Sequence, residues 1–246
     1  MNLVSVIMPA FNTQETIATS ASSVLAQSHR SLELLIIDDG STDSTVSISQ
    51  HLSRQDERVR VIRQEKNGGV AMARNRGIEQ ARGRYIAFLD ADDLWMPDKL
   101  ERQLAMMHQH NALACMSAYY RFRVQGHWLA VTRPPARITY EGLLKGNVVG
   151  NLTGIYNCEV LDKVFQRDVL HEDYLMWLEI AHMAGEILAV CVPLAAYRVG
   201  QISLSSDKIR SVKGTWDIYH KHLSLSAAHS AYLMSHYVVK AIYKRL

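Results

Sequence analysis

The sequence predicts an α/β fold built on a mostly parallel sheet flanked by helices. Three observations lead there. Strand-like apolar runs alternate with helical periods through the first 110 residues. The runs are apolar at successive positions, so both faces of the sheet are covered, as in parallel sheets. Each run also ends in a polar cluster, and ligands on such sheets bind beyond the carboxyl ends of the strands.

The elements follow in order. LVSVIM (3–8) is a strand, and TQETIATSASSVLAQ (13–27) places Ile17, Val24 and Leu25 on one helical face. LELLIID (32–38) is a strand, and STVSISQHLS (44–53) a helix capped by Ser41, Thr42 or Asp43. VRVIR (59–63) is a short strand, GVAMARNRGIEQA (69–81) a helix and YIAFL (85–89) the fourth strand. PDKLERQLAMMHQH (97–110) is a helix with Pro97 suited to its first turn. The later half is less regular. ACMSAYYRF and HWLAVT are strand-like around Gln125 and Gly126, and RPPAR (133–137) breaks the pattern. TYEGLLKGN (139–147) reads as a short helix, and NLTGIYN (151–157) follows it. HEDYLMWLEIAHMAG (171–185) reads as a helix, EILAVCV (186–192) as a strand and PLAAYRVGQISLSS as a loop. From Asp207 the pattern is helical. The expected organisation is a catalytic domain over 1–206, with a nucleotide-side half of about 1–110 and an acceptor-side half of about 111–206, followed by a helical C-terminal extension over 207–246.

Bulk properties narrow the function. Of 246 residues, 48% are hydrophobic and 21% charged, which is an ordinary globular balance. The net charge of +3 is too small to point to nucleic acid. Cys115, Cys158 and Cys191 are widely separated and lack metal-ligand spacing, so they read as reduced thiols of a cytoplasmic protein. The N-terminal apolar run is short and interrupted by Pro9, unlike a signal peptide.

The chemistry lies in the clusters. FLDADD aims a buried strand at Asp90, Asp92 and Asp93. In extended chain Asp90 and Asp92 point the same way and can share a hard dication, Mg²⁺ or Mn²⁺, that bridges to a diphosphate. The positive charge these carboxylates need is then expected to arrive with the substrate. In DDGSTD (38–43), Gly40 allows a tight turn, and Asp38 or Asp39 can accept hydrogen bonds from a base. NGGVAMARNRG (67–77) opens a helix on Asn67 and paired glycines, a setting that suits an anion, with Arg74 and Asn75 in reach of the same ligand. In HEDYLMW, Asp173 beside Glu172 is either a helix N-cap or a general base.

In this order, SVIMPAFN, DDGSTD, NGGVAMARNRG, FLDADDLWMPDKL, EDYLMWL and YRVGQISLS resemble the family 2 glycosyltransferases with the glycosyltransferase A fold, over about residues 3–206. The resemblance implies a metal-dependent, inverting hexosyltransferase. Its donor would be a nucleotide-diphospho-sugar, of UDP type, and its acceptor a glycan or lipid-diphosphate-linked saccharide of bacterial O-antigen or capsule synthesis. It implies that Pro9, Ala10 and Phe11 line the nucleotide pocket and that Asp39, or Asp38, meets the base. Asn67, Gly68, Arg74, Asp90, Ala91 and Arg198 would contact the nucleotide-sugar, with Arg198 over the diphosphate. Asp92 and Asp90 match the metal-binding pair, and Asp173, paired with Glu172, the catalytic base. Trp177 matches an acceptor-side aromatic. Two positions depart from the pattern: Glu179 stands where members often carry Arg, and Gly200 where many carry His. The processive QxxRW signature is missing, so one sugar per encounter is expected. A nucleotidyltransferase and a noncatalytic sugar-nucleotide binding protein are the alternatives.

After Asp217 no acidic residue follows, and Lys221, Lys240, Lys244 and Arg245 are basic. Leu225, Tyr232, Leu233, Tyr237 and Tyr243 can share a helical face, so this extension either rests on the inner face of the membrane as a peripheral contact or packs on the domain.

Overall fold

The computed structural model describes residues 2–123, 127–200 and 208–243. The Gln125–Gly126 turn, the QISLSS end of the YR motif, the side chains of Tyr237, Lys240 and Tyr243, and residues Lys244 and Arg245 lie outside the described residues. Among those described, ten strands form one sheet.

Its first half is parallel. β1 (Val4–Ala10) lies between β2 (Leu32–Asp38) and β4 (Tyr85–Phe88), and β3 (Val59–Arg63) flanks β2. Both β1 and β2 are buried at every position. Side chains alternate between faces, and each face has its own core. Ile7, Leu35, Ile37 and Phe88 pack with Ala73 and Ile78 of α3 (Val70–Gln80). Val6, Met8, Leu34 and Ile36 pack with α1 (Ile17–Leu25) and α4 (Lys99–His110) on the other side. Helix α2 (Thr45–Gln55) completes the series. Two covered faces are the reason these strands show no polar alternation.

The second half is mixed. β9 (Ile155–Asn157) runs antiparallel between β4 and β6 (Ala114–Phe122), and β10 (Glu186–Arg198) runs parallel to β6. β6 and β10 each take two short antiparallel partners along one edge. On β6 these are β9 and, further along, β7 (Trp128–Thr132). On β10 they are β8 (Arg137–Thr139) and β5 (Leu94–Trp95). The expected loop from Pro193 is therefore corrected: PLAAYR continues β10. The register against β6 shifts around Pro193, and this irregularity accommodates a residue without an N–H donor. Pro97 stands two residues ahead of α4, not in its first turn, and its carbonyl accepts Ser28 N–H at 2.8 Å.

Helices α5 (Tyr140–Leu144), α6 (Cys158–Leu161) and α7 (Glu172–Ala184) cover the second half. α8 (Lys208–Asp217), a π-helical turn (Ile218–His222) and α9 (Ala227–Tyr243) follow. Tyr219 of the π-helical turn is fully buried, donates to the Leu144 carbonyl at 2.6 Å and meets the Tyr174 hydroxyl at 3.1 Å. Leu233 joins the same core, whereas Tyr232 is exposed, so the two do not share one apolar face. No described helix is long and apolar enough to cross a membrane.

One polar residue interrupts β2. Glu33 accepts Ser5 Oγ at 2.6 Å, Arg82 N–H at 2.7 Å and Arg60 Nη1 at 2.9 Å. Burial pushes its carboxyl up, but these donors together outweigh it and leave the group below its ordinary value of 4.5. Glu33→Ala leaves the three donors without their acceptor and is expected to cost about 2–4 kcal/mol in urea denaturation. The sign of the shift means that the wild-type contribution is present above pH 4.5 and fades as pH falls below it.

Candidate active site

The polar clusters meet at the carboxyl edge of the parallel strands. After β1, Asn12 takes a left-handed conformation (φ 51°), and its Oδ1 accepts Thr42 N–H at 2.9 Å. Asn12 N–H donates to Ser41 Oγ at 3.0 Å, so the PAFN turn is braced on the DDGSTD turn. Pro9 and Ala10 are buried, and Phe11 is 46% exposed at the edge. Of the three residues proposed to cap α2, Asp43 accepts the first helical amide, Thr45 N–H, at 2.9 Å, while Ser41 and Thr42 serve the turn.

Asp38 is fully buried; it accepts Ser41 N–H and lies 3.7 Å from Arg63 Nε. It holds the turn, and Asp39 beside it is buried as well. Asp39 accepts Gln64 Nε2 at 2.7 Å, Gly68 N–H at 2.8 Å and Gly69 N–H at 2.9 Å. It uses three of roughly four carboxylate acceptor positions and pins the glycine loop. Gly40, at φ 78°, packs so closely that a Cβ would fall 2.9 Å from Asn67 N. Asn67 itself is exposed. Beside this loop a recess of about 360 Å³ is lined by Arg63, Gln64 and Glu65. The larger depression, about 470 Å³, is lined by Leu3, Arg82 and Cys158 at the opposite strand ends, remote from these clusters.

Arg74 is the centre of the site. Its side chain is 5% exposed; Nη2 lies 2.7 Å from Asp90 Oδ1 and Nη1 lies 2.9 Å from Glu172 Oε1. Nη1 also reaches Gln166 Oε1 at 3.3 Å, and the buried Nε has no hydrogen-bond partner among the described residues. Burial works against its charge, but Asp90 and Glu172 hold it firmly protonated. One of the positive charges the acidic turn needs is thus internal, which corrects the expectation that it comes wholly with the substrate. Asn75 is likewise committed: it exchanges two 2.7 Å hydrogen bonds with the backbone of Gln166 and is not free for a ligand.

The three aspartates of the turn divide into different settings. Asp90 is partly exposed and paired with Arg74. Ala91 is buried, and its carbonyl accepts Ser20 Oγ at 2.9 Å. Asp92 is exposed at the surface, its carboxyl raised by desolvation and by Asp90. Asp93 is buried and accepts Arg198 N–H at 2.7 Å; desolvation and then its two neighbours push its carboxyl far up. The Arg198 guanidinium donates to the Asp92 carbonyl at 2.8 Å and lies 4.6 Å over the Phe122 ring. Arg198 ends β10 and clasps the acidic turn.

Across from that turn, α7 begins at Glu172, preceded by His171 in a left-handed conformation (φ 66°). His171, not Asp173, therefore holds the N-cap position. Asp173 lies in the first turn and accepts Tyr174 N–H at 2.8 Å. Burial and then Glu172 push its carboxyl up to about 6, against the pull of Arg74. Glu172 is engaged by Arg74 and acts on Asp173 through charge. His171 Nε2 lies 3.0 Å from Ser211 Oγ, which joins α8 to this corner.

Trp177 is a correction. It has no exposure, donates to Asn151 Oδ1 at 3.1 Å and meets Phe88 and Tyr156 edge-on. A Cβ on Gly154 would fall 2.0 Å from its ring. An indole enclosed this way supports β4 and cannot touch an acceptor. Glu179 is exposed on the same helix. Sequence reasoning missed Gln166 and the clasping role of Asp93; no local pattern marks either.

The sequence model described as glycosyl transferase family 2 matches residues 5–165. The chain belongs to this family. The nucleotidyltransferase alternative falls with that assignment, and this family 2 member is a glycosyltransferase. TuaG of Bacillus subtilis (strain 168), named for teichuronic acid biosynthesis, is 35% identical over 99% of the chain and 98% of its own length. WfgD of Escherichia coli is 36% identical over 96% of the chain and 93% of its own length. It is named UDP-Glc:alpha-D-GlcNAc-diphosphoundecaprenol beta-1,3-glucosyltransferase. Among solved structures, Staphylococcus aureus TarS 1–349 with UDP-GlcNAc superposes with a TM-score of 0.77 at 19% identity, over 97% of this chain and 72% of that one. The mannosyltransferase PcManGT of Pyrobaculum calidifontis, with GDP-Man and Mn²⁺, gives 0.69 at 18% identity, over 91% and 64%. The fold of this family 2 chain is accordingly of the glycosyltransferase A type.

Proposed function

We propose that this chain transfers a hexosyl group from a UDP-sugar, with inversion, to a hydroxyl of a saccharide carried on a lipid diphosphate, in bacterial surface polysaccharide synthesis. The observation that carries the reading is the link Asp90–Arg74–Glu172, which holds the acidic turn and the Asp173 carboxyl in one corner. The donor and acceptor named for WfgD support the substrate classes.

Phe11 and the glycine loop border the nucleotide, and the remaining acceptor position of Asp39 meets the base N–H. The diphosphate lies at the acidic turn beside Arg198. Asp173, with its carboxyl near 6, is ionised at neutral pH yet basic enough to take the acceptor hydroxyl proton. The oxygen then attacks the anomeric carbon from the face opposite the diphosphate, in one displacement, so that an α-linked donor gives a β-linked product.

The residues present fit a dication held jointly with substrate. Asp92 is exposed and Asp90 keeps one oxygen outside its contact with Arg74, whereas no group of three potential protein ligands occurs among the described residues. Mg²⁺ or Mn²⁺ bound by one or two carboxylates normally completes its shell with phosphate oxygens and water. When bound, it would neutralise charge on the departing diphosphate. Asp92→Ala is expected to weaken UDP binding in the presence of Mn²⁺ by at least about tenfold, while binding in EDTA stays equal to that of the wild type. Calorimetry with both proteins decides this, and undiminished affinity in Mn²⁺ removes Asp92 as a ligand. No release of UDP from any nucleotide sugar, with or without a lipid-linked saccharide, would return the chain to a noncatalytic binding role.

A further inference from the structure

The β6–β7 hairpin has a surface that the transfer chemistry does not use. Trp128 is 43% exposed and Leu129 57% exposed, consecutive at the start of β7. The indole stacks on Tyr120 at 4.6 Å and stands edge-on to Phe122 at 5.9 Å, so it is held on a rigid aromatic base. Among the described residues β7 pairs with β6 alone, on one of its two edges. The hairpin's own charge has one sign. Residues 102–140 contain no aspartate or glutamate. Arg121, Arg123 and Arg133 are exposed, as is His127, and among the described residues none of the three arginines lies within ion-pair distance of a carboxylate.

The hairpin also sits at the reacting end of the molecule. β7 pairs with the carboxyl-terminal half of β6, Phe122 lies under the Arg198 guanidinium, and Arg198 holds the Asp92 carbonyl. An acceptor attached to a lipid presents its hydroxyl close to the bilayer, so the membrane-facing surface belongs at this end.

We propose that this hairpin docks the enzyme on an anionic bilayer, with Trp128 and Leu129 entering the interface and Arg121, Arg123 and Arg133 meeting lipid phosphates. Aromatic residues prefer the interface because one end is apolar and the other wet, and juxtamembrane cations are drawn to anionic headgroups. The C-terminal extension is a weaker claimant: Leu233 is buried in the core and Leu225 packs against it. The inference rests on the lipid-linked acceptor proposed above.

The test is flotation of the full chain with phosphatidylglycerol vesicles and with phosphatidylcholine vesicles, neither containing donor or acceptor. The wild type is expected to float with phosphatidylglycerol only, less so as salt rises. Trp128→Ser with Leu129→Ser should reduce partitioning about tenfold, and Arg121→Gln with Arg123→Gln and Arg133→Gln should do the same. Retained UDP affinity shows that both variants remain folded. Absence of wild-type flotation, wild-type-like flotation of either variant, or a dimer in sedimentation that dissociates on Trp128→Ser would each overturn the proposal. Because these vesicles carry no substrate, such a failure leaves sugar transfer untouched, and transfer assays judge that separately.

Discussion

Asp173→Asn is expected to lower kcat by about 10³-fold or more while UDP affinity stays within about twofold of the wild type. Asparagine keeps the size and the contact with Tyr174 N–H but cannot take a proton. The wild-type enzyme should lose activity as pH falls below about 6, where the Asp173 carboxyl becomes protonated, with a limiting slope of one. The same group has a cost to the fold. Its carboxyl titrates near 6 in the folded protein and at 3.8 ordinarily, so stability declines as pH rises through that window. Asp173→Asn should therefore melt at a higher temperature than the wild type at pH 7, although it is inactive. A variant that is both dead and less stable would mean that Asp173 serves the fold; one with wild-type kcat would mean that it is not the base.

Arg74→Met is expected to destabilise the chain by about 3–5 kcal/mol, the usual cost of removing one partner of a buried ionic cluster. Asp90 and Glu172 would lose the guanidinium that lies 2.7 and 2.9 Å away. Arg74→Lys should recover only part of this, since an ammonium cannot span two carboxylates as a planar fork does. If the lysine variant retains measurable transfer, its acid limb should move to higher pH, because Arg74 lowers the Asp173 carboxyl. Equal urea midpoints for wild type and Arg74→Met would refute the bridging role.

The parallel half of the fold was legible because its strands are apolar on both faces, and LELLIID shows this directly. The exception within it, Glu33, has partners in β1, β3 and the turn before β4, which no local window contains. PLAAYR was hidden for a different reason. Proline normally breaks a ladder, and only the shifted register with β6 shows that the strand passes through. Trp177 was misread because α7 is buried at every position from Tyr174 to Leu178, so its pattern does not say which side faces a ligand. The acidic turn and the Glu172–Asp173 pair were both found as motifs. Their connection was not, because Arg74 and Glu172 stand 98 positions apart and a charge pair at that distance leaves no periodicity.

The clasp of Arg198 on the acidic turn sets a limit on biosynthesis. Its amide reaches Asp93 across 105 positions, and β10 follows the other nine described strands along the chain. A nascent polypeptide can lay down the early βα units as they emerge, since domains generally fold from the N-terminus during synthesis. The acidic turn must wait, unclasped, until Arg198 has emerged. Long-range closures of this kind slow folding, because the entropy of the loop is lost before the contact forms. The corner that holds the acidic turn is thus completed after the parallel half of the sheet, which needs no contact with β10.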